Sequence, residues 1–180
     1  ILINNAGIYK SVAASIVWQT NLYSPIFVTE KLADAFIASN ISGRGLRFVQ
    51  VGSRLESESV LTLSNFDSRS GESEFSYSDT KRGLLDHTSF MARRYKDSPN
   101  LSFCVVTPGM VNSQLGRHSV CGLVWWLSWP LRFLLLKHPL EGAVAVLWAA
   151  FACTETGVYV GDHEVIERDI SNTRNYELGS

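Results

Sequence analysis

Short runs of β-branched and aromatic residues, each stopped by an asparagine, glycine or proline turn, alternate along this chain with longer stretches at helical spacing. No other feature of the sequence restricts the fold as strongly. Parallel strands cannot be joined by a hairpin; they need a crossover of a dozen or more residues, usually a helix. A chain that alternates the two is driven towards a layered, mainly parallel sheet. Ile1–Ile3 reads as a buried strand ended by Asn4-Asn5-Ala6-Gly7. Ile16, Leu22, Ile26, Phe27, Leu32 and Phe36 then mark a helix over 16–39, with Pro25 expected to kink it or sit at a boundary. A turn over 41–44 leads to a second strand, 46–53, closed by Gly52-Ser53. A polar, serine-rich loop over 54–73 follows. The next helix, 74–95, carries Leu84, Leu85, Phe90 and Met91 on one side, and Arg93, Arg94 and Lys96 suit its C-terminal dipole. Leu101–Thr107 is a third strand, broken by Pro108-Gly109, and 139–153 and 157–161 read as a last helix and strand.

The chain's 180 residues make room for one domain, and no repeat or linker divides them. Hydrophobic residues are 46% and charged ones 18%, which builds a core and excludes a disordered chain. The net charge of −1 offers no global attraction to nucleic acid, so no nucleic-acid partner is expected. Cys104, Cys121 and Cys153 are too far apart for a disulfide framework or a zinc site, which fits a reducing, intracellular setting. His87, His118, His138 and His163 share no ligand spacing, so no metal is expected. The chain opens inside a strand rather than on a methionine. The expectation is that it is an N-terminally truncated fragment of a longer domain.

Chemistry concentrates on three strand ends and one helix. Tyr77 and Lys81, four residues apart, share a helix face. A phenol is a poor base at neutral pH, and a neighbouring ammonium favours its ionised form. Tyr-x-x-x-Lys is therefore a sensible unit for moving a proton to or from a substrate oxygen. Alone the pattern is weak, because such pairs are common on exposed helix faces. Ser53 closes the preceding strand, and in an open parallel sheet the carboxyl ends of strands face the ligand crevice. A serine there is more often a cap than a catalyst. Asn4–Gly7 and Pro108-Gly109 close two further strands, so all these residues would meet at one crevice.

Asn4-Asn5-Ala6-Gly7, Asn21, Ser53, Tyr77-x-x-x-Lys81 and Pro108-Gly109, in this order, resemble the short-chain dehydrogenase/reductase family over essentially the whole chain. Residues 108–117 and 133–139 resemble its retinol dehydrogenase-like branch. The resemblance implies a Rossmann-like, doubly wound parallel sheet of which residues 1–180 form the catalytic, C-terminal portion. The N-terminal βαβ half with its glycine-rich cofactor turn would be missing. Tyr77 would be the proton donor or acceptor, and Lys81 would lower its pKa and hold the nicotinamide ribose. Ser53 would polarise the carbonyl, and Asn21 would support a water-linked proton relay. Asn4, Asn5, Ala6 and Gly7 would line the adenosine side of NAD(H) or NADP(H). Pro108, Gly109 and Ser113 would lie beside the nicotinamide, with Ser113 where the family usually has threonine. The substrate would be a lipophilic alcohol or carbonyl, retinol- or steroid-like.

Residues 119–136 are nearly all apolar, with Trp125, Trp126 and Trp129. A membrane span needs about 20 residues, and Pro130 and Arg132 interrupt this one. Three readings stand open: a substrate lid, a buried helix, or peripheral contact with the cytosolic face of an internal membrane. Homo-oligomerisation is a further expectation. Asp162, Glu164 and Glu167 read as surface charge. The absent glycine-rich turn also motivates a different class, a catalytically incompetent fragment or interaction protein. A nucleotide-sugar epimerase or dehydratase ranks lower, because it needs a sizeable C-terminal substrate domain.

Overall fold

The computed structural model describes residues 1–9, 13–39, 45–59, 61, 76–113, 115, 127–161 and 163–167. Five strands form one sheet in sequential order: β1 (Leu2–Asn4), β2 (Leu46–Val51), β3 (Leu101–Thr107), β4 (Val158–Gly161) and β5 (Glu164–Glu167). The first four run parallel, and β5 turns back antiparallel on β4. That turn passes through His163, which has a positive φ of 73°. The expected mainly parallel sheet is present. The strand β5 was not foreseen, because Glu164 and Glu167 mask an apolar pair, Val165 and Ile166, between them.

Side chains alternate across a strand, so each face of β2–β4 has its own residue set. In register, Val49 lies beside Cys104, and Cys104 beside Val158. These pack with Val51, Val106 and Val160 against Ala145, Ala149 and Ala150 of helix α5 (Pro139–Phe151). On the other face Phe48 stacks on Phe103 with centroids 4.9 Å apart. That pair packs on Ala33 of α2 (Ser24–Ala38) and Met91 of α3 (Ser76–Arg94). Helices therefore cover both faces, as a doubly wound sheet requires. Small alanines on α5 let it lie close to the β-branched strand surface. Cys104 is buried in this core, and burial pushes its thiol up to about 11.

The expected helix over 16–39 is two helices around a wider turn. α1 (Ala14–Trp18) leads into a π-helical turn, Gln19–Tyr23, and then α2 begins. Pro25 is the physical reason. It has no N–H to give back to the preceding turn, and the Ser24 N–H bonds Gln19, five residues back. Leu22 is buried as its spacing suggests, but Ile16, Phe27 and Leu32 are exposed, Phe27 by 62%. The turn predicted over 41–44 lies outside the described residues, as does most of the 54–73 loop. Its described start is a 3₁₀ turn, Arg54–Glu58. Of 119–136, residues 127–136 are described. They contain a short helix, α4 (Trp129–Leu135), whose Leu131, Phe133, Leu134 and Leu135 are exposed, so this part is not a buried helix. Among the described residues no helix is long and apolar enough to cross a membrane.

Candidate active site

β2 ends at Val51, and Gly52 turns the chain out of the sheet. A methyl group at Gly52 would stand 2.7 Å from Val105 Cγ1, so only glycine allows the backbone to pass this close to β3. The Gly52 N–H donates to the Val106 carbonyl at 2.8 Å, which fixes the exit. Ser53 follows in extended conformation and caps the 3₁₀ turn, its Oγ accepting from Leu55 N at 3.3 Å. The modest capping role and the proposed polarising role thus fall on one hydroxyl.

Tyr77 and Lys81 stand on the first turns of α3, both buried. The Tyr77 phenol and the Ser53 hydroxyl share a hydrogen bond. Lys81 Nζ lies 5.7 Å from the centroid of the Tyr77 ring and donates to the Val51 carbonyl at 2.7 Å. An ammonium has three donors, and that bond takes one of them. Tyr9 packs edge-on against the Tyr77 ring, with centroids 4.9 Å apart. Three tips from two elements therefore meet at the carboxyl end of the sheet.

The protonation chemistry differs from the expected one. Burial pushes the Tyr77 phenol above its ordinary value; the Ser53 hydrogen bond pulls it back, and Tyr9 and the Glu56 charge push it up further. Burial lowers Lys81 to about 8, opposed by Glu56. The amine is thus held well below its ordinary value, and burial is the largest influence on both groups.

Asn21 is fully buried on the π-helical turn. Its amide clasps Ile8 from both sides, Oδ1 accepting the Ile8 N–H and Nδ2 donating to the Ile8 carbonyl, each at 2.8 Å. Nδ2 also reaches Thr80 Oγ1 at 3.3 Å, and Thr80 donates to the Tyr77 carbonyl at 2.8 Å. Asn21 is therefore joined to the Tyr77 helix by one side chain. A methyl group at Gly7 would sit 3.7 Å from both Asn21 Oδ1 and Lys81 Nζ, so Gly7 belongs to the same cluster. Asn4 lies apart from it and donates to Thr29 on α2 at 3.0 Å, tying β1 to the helix layer. Asn5 and Ala6 are exposed.

Pro108 and Gly109 follow β3, and Gly109 has a positive φ of 76°. Lys137 folds over this turn, its Nζ 3.2 Å from where a Gly109 methyl group would be. Asn112 N–H donates to the Lys137 carbonyl and Lys137 N–H to the Met110 carbonyl, each at 2.9 Å, which holds the end of α4 beside the loop. Ser113 is exposed, with its Oγ accepting from Leu115 N at 3.3 Å. Sequence reasoning missed Thr80, Glu56 and Lys137. The first two touch the site only through a neighbour, and Lys137 is distant in sequence from the turn it covers.

No family model matches the chain. A polyprenol dehydrogenase of Mus musculus is 27% identical over 192 residues, covering 99% of this chain and 56% of that protein. The chain thus spans about half the length of the curated relative it matches. Among solved structures, a 3-oxoacyl-[acyl-carrier protein] reductase from Brucella melitensis in complex with NAD superposes with a TM-score of 0.61 at 17% identity, covering 97% of this chain and 68% of that one. A gluconate 5-dehydrogenase from Burkholderia cenocepacia in complex with NADP and tartrate gives 0.57 at 20%, covering 89% and 62%. A ligand-free aldohexose dehydrogenase from Thermoplasma acidophilum gives 0.61 at 20%, covering 99% and 70%. At these identities the structures speak for the fold. Motif order, the sheet whose ends carry the motifs and the curated relative all agree with the resemblance to the short-chain dehydrogenase/reductase family.

Proposed function

We propose that this chain carries the proton-transfer half of a nicotinamide-dependent oxidoreductase that interconverts a lipophilic alcohol and its carbonyl. The observation that supports it most is the meeting of Ser53, Tyr77 and Lys81 at one strand end. The residues present suit a nicotinamide–ribose moiety. Gly7 puts no side chain beside the Lys81 amine, and the Gly109 turn has none of its own. When bound, the cofactor would supply or accept hydride. Lys81 would hold the ribose hydroxyls with the donors that Val51 does not use. Ser53 would orient the substrate oxygen. Tyr77, kept as the phenol, would give its proton to that oxygen in reduction and recover it in oxidation.

A lipophilic substrate is favoured by the apolar ledge of α4, held beside the Pro108-Gly109 turn through Lys137. The name of the murine relative, a polyprenol dehydrogenase, agrees with it. The retinol dehydrogenase-like assignment rests on residues 108–117 and 133–139.

The test is turnover of long-chain allylic carbonyls by the chain with NADH or NADPH, followed by loss of reduced-nicotinamide absorbance. Tyr77→Phe should lower the rate by about 10²–10⁴ while cofactor binding is kept. Full activity in that variant removes Tyr77 from proton transfer. Failure of both cofactors to bind saturably favours an interaction protein instead.

A further inference from the structure

Glu56 lies on the 3₁₀ turn that Ser53 opens, and no motif pointed to it. Its carboxylate accepts the Tyr159 hydroxyl of β4 at 2.8 Å. Its own N–H donates to the Ser53 carbonyl at 3.2 Å. Three residues past Glu56 the chain is clasped again: Ser59 donates to Asp79 Oδ1 of α3 at 2.7 Å. The segment carrying Ser53 is therefore pinned to β4 at one end and to the Tyr77 helix at the other. The second carboxylate oxygen of Glu56 is buried without a hydrogen-bond partner. A carboxylate is not left so for packing alone, since an uncompensated buried polar atom costs free energy.

Among the described residues, the groups electrostatically coupled to Glu56 lie on its own turn, on α3 and on β4. Arg54 lies on its own turn, Arg82, Tyr77 and Lys81 on α3, and Tyr159 on β4. Burial raises the Glu56 carboxyl above its ordinary value, while the Tyr159 hydrogen bond, its own backbone bond and the two arginines pull it down. Tyr159 is pushed up by burial and by the Glu56 charge.

We propose that Glu56 is a positioning residue of the site: through Tyr159 it fixes the turn that presents Ser53, and its negative charge is set against the Tyr77–Lys81 pair. That charge disfavours phenolate and favours ammonium, so the site rests with both protons in place and ready to protonate a carbonyl oxygen. The inference builds on the reading of Tyr77 and Lys81 as the proton-transfer pair, but its test needs neither cofactor nor turnover.

The experiment is an NMR pH titration of the chain, isotopically labelled at tyrosine Cζ, lysine Cε and glutamate Cδ. In the unmodified chain the Tyr77 and Lys81 signals should each show a second inflection at the pH where Glu56 titrates. In Glu56→Gln that inflection should vanish, and both midpoints should move to lower pH by about half a unit, the scale of one screened charge. Tyr159→Phe frees the turn but keeps the charge, and should speed hydrogen exchange of the Glu56 amide by about tenfold, the weight of one hydrogen bond. Absence of the second inflection in the unmodified chain, or unchanged midpoints in Glu56→Gln, overturns the electrostatic role. Unchanged exchange in Tyr159→Phe overturns the clasp. If these results hold while Tyr77→Phe keeps full turnover, the coupling stands and the catalytic reading falls.

Discussion

Lys81 Nζ donates to the Val51 carbonyl at 2.7 Å, so the amine of the candidate proton-transfer pair is also what fastens α3 to the end of β2. Val51 is the last residue of its strand. One ammonium thus joins a structural tie to its proposed chemical duty.

Lys81 makes stability depend on pH. Unfolded, the amine keeps its proton to about its ordinary 10.5; folded, only to about 8. Between these values the unfolded chain binds more protons, so this group makes stability rise with pH. Cys104, ordinarily 9.0 and raised to about 11, pulls the other way from pH 9, and the buried tyrosines join it beyond 10. The clean window is pH 8 to 9. Urea unfolding should show a gain of about 1 kcal/mol there. Lys81→Met should abolish the gain; a slope that survives the substitution assigns it to another group.

Asn21→Ala should destabilise the chain by about 2–3 kcal/mol, because it leaves the Ile8 N–H and carbonyl without their partner inside the fold. The loss should be local first. Amide exchange at Ile8 should rise more than at Phe103 in the core. Equal acceleration at both sites would mean that Asn21 supports the whole fold rather than the Gly7 turn.

Gly52→Ala places a methyl group 2.7 Å from Val105 Cγ1, too near for either to stay. The expected cost is about 1–3 kcal/mol in thermal or urea unfolding. Because Ser53 is the next residue, its cap on Leu55 should be lost as well, visible as a shifted Leu55 amide resonance. A variant with unchanged stability would show that β3 yields easily at this point.

Phe48→Ala removes one ring of the stacked pair with Phe103, both buried, and opens a cavity beneath α2 and α3. The cost should be about 3–5 kcal/mol, with the secondary structure signal kept at low temperature. A cost below 1 kcal/mol would mean that Met91 and Phe36 close over the gap.

Ser53→Ala leaves the Leu55 N–H without its cap, at a cost of about 1 kcal/mol, and withdraws the hydrogen bond that pulls the Tyr77 phenol down. The Tyr77 midpoint should therefore rise. A fall would contradict the shared hydrogen bond.

The alternation of strands and helices determined the α/β layering. That is a local property: a strand with two buried faces reads as a nearly continuous apolar run, as 101–107 does. The order of the motifs likewise placed Ser53, Tyr77 and Lys81 on strand end and helix face without coordinates. What the tertiary structure alone decided depends on long-range contact. The strand β5 exists because β4 offers it an edge, although its glutamates read as surface. The split of the 16–39 helix followed from Pro25, yet its form, a π-helical turn that buries Asn21 against Ile8, was set by the neighbouring β1 loop. Burial, which no spacing encodes, pushes the Tyr77 phenol up, against the lowering expected from Lys81. The clasp of Glu56 on Tyr159 joins residues 103 positions apart, and only the assembled sheet brings them within a hydrogen bond.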